Sequence, residues 1–260
     1  MNTTQESYAE KIQKLLRKAE STTPEEAEML TAKAQELMEK YAISELMLQQ
    51  AAKKGVDEIV REEFVLSGSY RVALGQSTFH ILSNCRLRAS YTENLPRVVD
   101  GKTRKQTYII FSHGYQSDQR RARLLDTSIQ VQAARAMGTW WKNNQQYYVG
   151  QDRQGFLARR QFLFSFADGL YYKLREATRV GREQAEKEEA MRRQVAETKV
   201  KDEVALVLKS RSDLINAWME QHHPTRAARN RPQKGGDYAA STAGFAAGQN
   251  ADVGQPGLNR

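Results

Sequence analysis

His113, Gly114, Ser117, Asp118, Arg120, Arg121 and Arg123 fall within eleven residues, and together they suit the holding of an anion. The free N–H groups and dipole of a helix N-terminus favour negative charge, and arginine clamps a phosphate with two parallel hydrogen bonds. A loop carrying Arg97, Lys102, Arg104 and Lys105 precedes this stretch and extends the basic surface. The candidate anion- or nucleic-acid-binding residues are therefore Arg97, Arg104, Lys105, His113, Arg120, Arg121 and Arg123. Trp140, Trp141, Tyr147 and Tyr148 are aromatics of the kind that stack on bases, although helical spacing assigns some of them to a core. The competing reading is an ordinary capped helix with solvated arginines, in which Asp118 already occupies the dipole position.

Other chemistries lack their parts. The histidines are His80, His113, His222 and His223, with Cys85 the single cysteine. His80 and Cys85 stand five apart and share no helix face, there is no H-E-x-x-H, and no metal site is expected. Walker, Rossmann and nucleophile-elbow patterns are absent, so no cofactor is expected either. His80 reads as a buried, hydrogen-bonded residue and Cys85 as a small core hydrophobe. Asp168, before Gly169, reads as a buried polar anchor. One carboxylate is not a dyad, and no catalytic residue is assigned.

The elements that must position the basic cluster are a strand, a turn and a long helix. Gln106–Ser112 packs aromatic and β-branched residues into one run, a buried strand. His113-Gly114-Tyr115 breaks it, and Ser117-Asp118 caps a helix carrying Ala122, Leu125, Ile129, Ala133, Ala136 and Trp140 on one stripe. That stripe points inward, so Arg120 and Arg121 are expected to reach solvent, with Arg123 just beyond its edge.

Around this core, Glu63–Leu66 reads as a strand, Tyr70–Cys85 as a helix and Leu87–Thr92 as a strand. Asp100-Gly101 signals a turn, so the strand at 87–92 pairs with the one at 106–112 as a hairpin across a long loop. Phe162, Phe166, Leu170, Leu174 and Ala177 mark another helix, and mixed charges from Arg179 to Lys201 mark a solvated one. Val204–Leu208 reads as a buried strand and Asp213–Gln221 as a final helix. The tail is basic from Pro224 and then rich in Gly and Ala, where Gly244 and Gly248 would let a helix approach the core closely. Disorder is expected near Arg226–Gly236.

The chain of 260 residues carries a net charge of +9. Residues 61–150 hold 13 Lys+Arg against 6 Asp+Glu, whereas residues 1–60 hold 8 against 11. The positive charge thus centres on the strand–helix element, and a basic segment attracts polyanions by counterion release. No apolar run is long enough to span a membrane, the N-terminus lacks a secretory profile, and one cysteine forms no internal disulfide. A cytoplasmic location is expected.

The N-terminal segment alternates two apolar stripes. Ala9, Ile12, Leu15, Leu16 and Ala19 form one; after Thr23-Pro24-Glu25-Glu26 restarts the helix, Ala27, Leu30, Ala34, Leu37, Met38 and Tyr41 form the other. Two helices joined so tightly lie antiparallel. The run KIQKLLRKAESTTPEEAEMLTAKAQELMEKYAIS resembles the helical hairpin of an uncharacterised DUF family of bacterial, plasmid and phage proteins. The resemblance rests on Lys11-Ile12, Leu15-Leu16, Ala19, Glu26-Ala27-Glu28, Ala32-Lys33-Ala34-Gln35, Leu37-Met38 and Tyr41, over about residues 8–45. SFADGLYYKL and the terminal Gly/Ala segment more weakly resemble a companion domain that often follows. The family brings no activity with it.

The expectation is an α+β protein: a helical hairpin module at 1–55, an α+β domain at 60–222 and a loosely packed, poorly ordered basic and Gly/Ala tail at 223–260. Its function is read as non-enzymatic binding of DNA or RNA through the surface at 97–123. Two alternatives stand beside it, a protein-interaction adaptor of phage or mobile-element origin docking a partner through the hairpin, and a hydrolase whose site is assembled from distant residues.

Overall fold

A computed structural model describes residues 58–93, 97–99, 102–104, 107–224 and 236–253. The N-terminal hairpin, Lys105 and nearly all of the basic Arg226–Gly236 segment lie outside the described residues.

A small antiparallel sheet organises the described chain. Strand β1 (Ile59–Ser67), helix α1 (Arg71–Asn84), strand β2 (Arg88–Glu93), the short β3 (Arg97–Val99) and β4 (Lys102–Arg104), and strand β5 (Thr107–Tyr115) follow one another. The sheet order is β1-β5-β2, while β3 and β4 pair as a separate two-stranded ribbon, with the expected Asp100-Gly101 turn outside the described residues. The hairpin between the strands at 87–92 and 106–112 is present as the β2–β5 pair. β5 is central and buried along almost its whole length, which accounts for its near-continuous apolar sequence.

Helix α2 (Gln116–Asn144) leaves β5 without a loop, and α1 lies on the same side of the sheet. Gly75 makes that packing possible, because a Cβ there would stand 2.6 Å from two ring carbons of Tyr108. Between the two helices, Thr78 Oγ1 donates to Asp126 Oδ1 at 2.7 Å, and Gln130 Nε2 donates to both Thr78 Oγ1 (3.0 Å) and Asp126 Oδ1 (3.1 Å). Burial raises the Asp126 carboxyl above the usual range, with the hydrogen bonds from Thr78 and Gln130 acting against it.

Helix α3 (Asp152–Arg193) carries the expected stripe, with Phe162, Phe166, Leu170, Leu174 and Ala177 all buried. Helix α4 (Glu197–His222) takes in both the expected strand at 204–208 and the expected final helix. The strand reading fails because the run obeys a helical period: Val200 and Val204 are buried, four apart, while Leu206 is 65% exposed. A short run of β-branched and aliphatic residues fits either period.

In the tail, the helix expected around Gly244 and Gly248 is present, and it is packed rather than loose. From Tyr238 to Gln249 the tail forms helix α5, with Asp237 capping the first turn by accepting from the Ala240 N–H at 2.9 Å. Gly244 and Gly248 place α5 against α3 so closely that a Cβ at either would collide with the carbonyl oxygen of Phe162 or Phe166.

The described residues form two units, 58–174 with 215–251, and 175–214 with 252–253. In the second unit, the end of α3 and the start of α4 make a helical hairpin around Ala185, Ala190, Val200 and Val204. Gln194 turns the corner at φ 53°. Among the described residues, no helix is long and apolar enough to cross a membrane.

Candidate functional site

The three arginines of α2 have different fates. Arg120 is exposed and donates to Gln116 Oε1 at 3.2 Å. Arg121 is buried, contrary to expectation, with its guanidinium 3.6 Å from the equally buried Asp118. The inward stripe begins earlier than Ala122. Asp118, Arg121 and Leu125 follow at intervals of three and four, so the first turns of the helix are covered too. Arg123 reaches solvent, yet its guanidinium grips Glu62 Oε2 at 2.6 Å and lies 4.2 Å over the Phe64 ring. Ser117-Asp118 does not cap the helix, which starts at Gln116 after Tyr115 with no side-chain cap. Arg97 and Arg104 are register partners on the β3–β4 ribbon.

His113 belongs to β5 rather than to a turn, and it is only 1% exposed. The strand runs on because β1 and β2 both pair with it there, with Arg61 and Arg88 as its register partners on either side. Cross-strand partners share a sheet face, so the two arginines flank His113 on the face opposite α1 and α2. The end of α4 supplies the rest. Trp218 and His223 lie 6.1 and 5.4 Å from the His113 ring, and Trp218 stacks on His222 at 4.8 Å. Asn216 Oδ1 accepts from Arg88 Nε at 3.0 Å, and the Arg61 guanidinium lies 3.9 Å over the Phe111 ring.

Electrostatically this cluster is one-sided. His113 Nε2 lies 3.3 Å from Ser90 Oγ, while its Nδ1 is buried with no hydrogen-bond partner. Burial, then the positive charges of His223 and Arg61, lower the His113 pKa to about 4. Burial, Arg61 and His222 lower that of His223 in the same direction. Among the described residues, the groups whose charge lowers these pKa values are all basic, an arrangement that accepts an anion. Among the described residues, no group of His, Cys, Asp or Glu is placed to hold a metal.

Of the residues expected at an anion site, the fold brings His113 into this cluster and leaves Arg120 exposed elsewhere on the same unit. Arg61, Arg88, Trp218 and His223 went unrecognised. The β2–β5 pairing was legible, and with its register Arg88 would have followed. The placement of Trp218 and His223 beside His113 had no local signal.

The expected base-stacking aromatics pack mainly on one another. Trp140 lies 5.4 Å from Phe162, Trp141 lies 5.3 Å from Tyr148, and Arg159 covers Trp141 at 4.3 Å. Tyr147 is 70% exposed.

A cavity of about 510 Å³ opens between α1, α3 and α5, with His80, Asp168 and Tyr171 in its lining. Asp168 is exposed there rather than buried as an anchor, because it points off the apolar stripe of α3. His80, half-buried, pairs with Gln76 at 3.4 Å, and burial lowers its pKa. Ser165 and Ser241 share a 2.8 Å hydrogen bond, and Gln161 donates to Ser165. Ser165 and Ser241 are thus engaged with each other and with Gln161 rather than with a base. Cys85 is buried, the core residue expected.

A family model described as "Protein of unknown function (DUF2786)" matches residues 7–45. This stretch of the chain is thus similar to an uncharacterised family. No curated protein and no solved structure matches the chain.

Proposed function

We propose that the protein is a non-enzymatic, cytoplasmic nucleic-acid-binding protein that holds the phosphate backbone of DNA or RNA on the sheet face around His113. The observation that carries this reading is the pair Arg61 and Arg88 set in register on either side of His113, with His223 and Trp218 alongside. Two guanidiniums at the spacing of one strand on each side offer separate contacts to a chain of phosphates, and Trp218 offers a ring to a neighbouring base. Arg120, Arg97, Arg104 and Lys105 supply further positive charge to the same stretch of sequence. Contacts of this kind position a backbone without reading its sequence.

The test is fluorescence anisotropy with labelled single-stranded and duplex oligonucleotides across a salt series, comparing the parent with the double variant Arg61→Ala, Arg88→Ala. Both arginines are on exposed positions, so the variant is expected to fold. Its affinity should fall on every sequence alike, and the slope of log K against log salt should flatten by about 1.8 for duplex, or about 1.4 for single strands. Equal slopes and affinities would refute the site. Retention of a protein partner by residues 7–45, with no nucleic acid bound at any salt, would favour the adaptor of mobile-element origin instead.

A further inference from the structure

The cavity between α1, α3 and α5 is separate in chemistry from the basic face. We propose that it binds a small organic cation, an alkylammonium whose charged head sits between the Asp168 carboxylate and the tyrosine rings and whose hydroxyl group reaches Thr242.

Charge selects the ligand class. Asp168 is the one ionisable acid in the lining, and neither Lys nor Arg lines the cavity. Among the described residues, no hydrogen bond or ion pair engages that carboxylate, and burial raises its pKa. His80 adds no positive charge at neutral pH, since burial lowers its pKa. On a chain with a net charge of +9, a carboxylate facing a cavity without a cation to pair it stands out from the general positive field.

Shape agrees with charge. Tyr171 and Tyr172 meet edge-to-face at 5.4 Å, and Tyr172 meets Phe245 in the same manner at 5.9 Å. Rings set at such angles form the walls of a cage, and the negative face of an aromatic ring attracts an ammonium. Tyr172 lines the cavity and is 56% exposed, so its ring is accessible from solvent. Ser165 and Ser241 are already bonded to each other, whereas Thr242 lies in the lining as a hydroxyl that both donates and accepts. The volume of about 510 Å³ lies within the range of small-molecule sites.

The test uses choline as the probe, titrated against the full chain by saturation-transfer NMR. The control is the alcohol in which a tert-butyl group replaces the trimethylammonium, equal in shape and lacking the charge. Choline should bind saturably with a Kd on the order of 1 mM, and the neutral alcohol about tenfold more weakly. Asp168→Asn, on an exposed position, should keep the fold and abolish the preference for the charged probe. Failure of choline to saturate, equal binding of the two probes, or an unchanged preference in Asp168→Asn would each overturn the assignment. The comparison of the two probes on the native chain needs no variant.

Discussion

His113 makes the stability of this protein depend on pH with a definite sign. In the fold its imidazole is 1% exposed, beside His223 and Arg61, and its pKa is lowered from 6.5 to about 4. Above the unfolded value both states hold a neutral ring, and the group contributes no pH dependence. As the pH falls below 6.5 the unfolded chain takes up a proton that the folded chain refuses, so stability declines until the folded ring protonates as well. Each pH unit in that window removes about 1.4 kcal/mol, so the full loss is about 3 kcal/mol, complete near pH 4. Asp126 and Asp168 have raised pKa values and act in the opposite direction, since protonation relieves their burial. The His113 contribution is isolated by urea denaturation of the parent and of His113→Gln, in steps from about pH 8 to about pH 4. Glutamine fills similar space, still reaches Ser90, and does not titrate. The difference between the two proteins should change by about 3 kcal/mol across the window, in favour of the variant at acid pH. A difference that stays constant with pH would refute the claim that burial and cationic neighbours hold the ring neutral.

Two further outcomes follow from packing and from surface charge. Gly248→Ala places a Cβ against the Phe166 carbonyl and should force α5 away from α3, costing about 1–3 kcal/mol and lowering the Tm measured by circular dichroism; an unchanged Tm would mean that α5 is held by other contacts. Arg123→Ala removes an ion pair with Glu62 whose side chains are 48% and 31% exposed, so chemical denaturation should show a loss below about 1 kcal/mol despite the 2.6 Å contact.

Much of the fold was legible because its elements carry strong local patterns. β5 has a continuous apolar run, and α3 repeats large apolar residues at three and four. The same logic misread Arg121 and Val204–Leu208. An arginine in a helical register that leads into an apolar stripe was taken as exposed by its type, although its position covers the sheet and Asp118 gives it a partner. Val204–Leu208 is short enough to fit two periods, and only the partner helix decides between them. The site was half legible for a related reason. His113 and the basic charge were visible in one segment, but its companions come from residues 61, 88, 218 and 223, brought together by strand register and by the packing of a distant helix.

The proposed anion site also accounts for a cost that packing alone leaves unexplained. A position at the centre of a sheet, 1% exposed, is ordinarily filled by an apolar side chain. Here the chain places a ring with one nitrogen buried and unbonded, then surrounds it with Arg61 and His223, both of which oppose its charging. Beside a phosphate the effect of the basic neighbours would be offset: the imidazoles would titrate higher, and Arg61 would be drawn from its ring contact into a charge-assisted pair. Local arrangements that oppose the fold tend to gather where a ligand completes them. On the proposed reading, burial together with its basic neighbours makes His113 the source of the free protein's acid sensitivity, and the same neighbours attract a phosphate backbone.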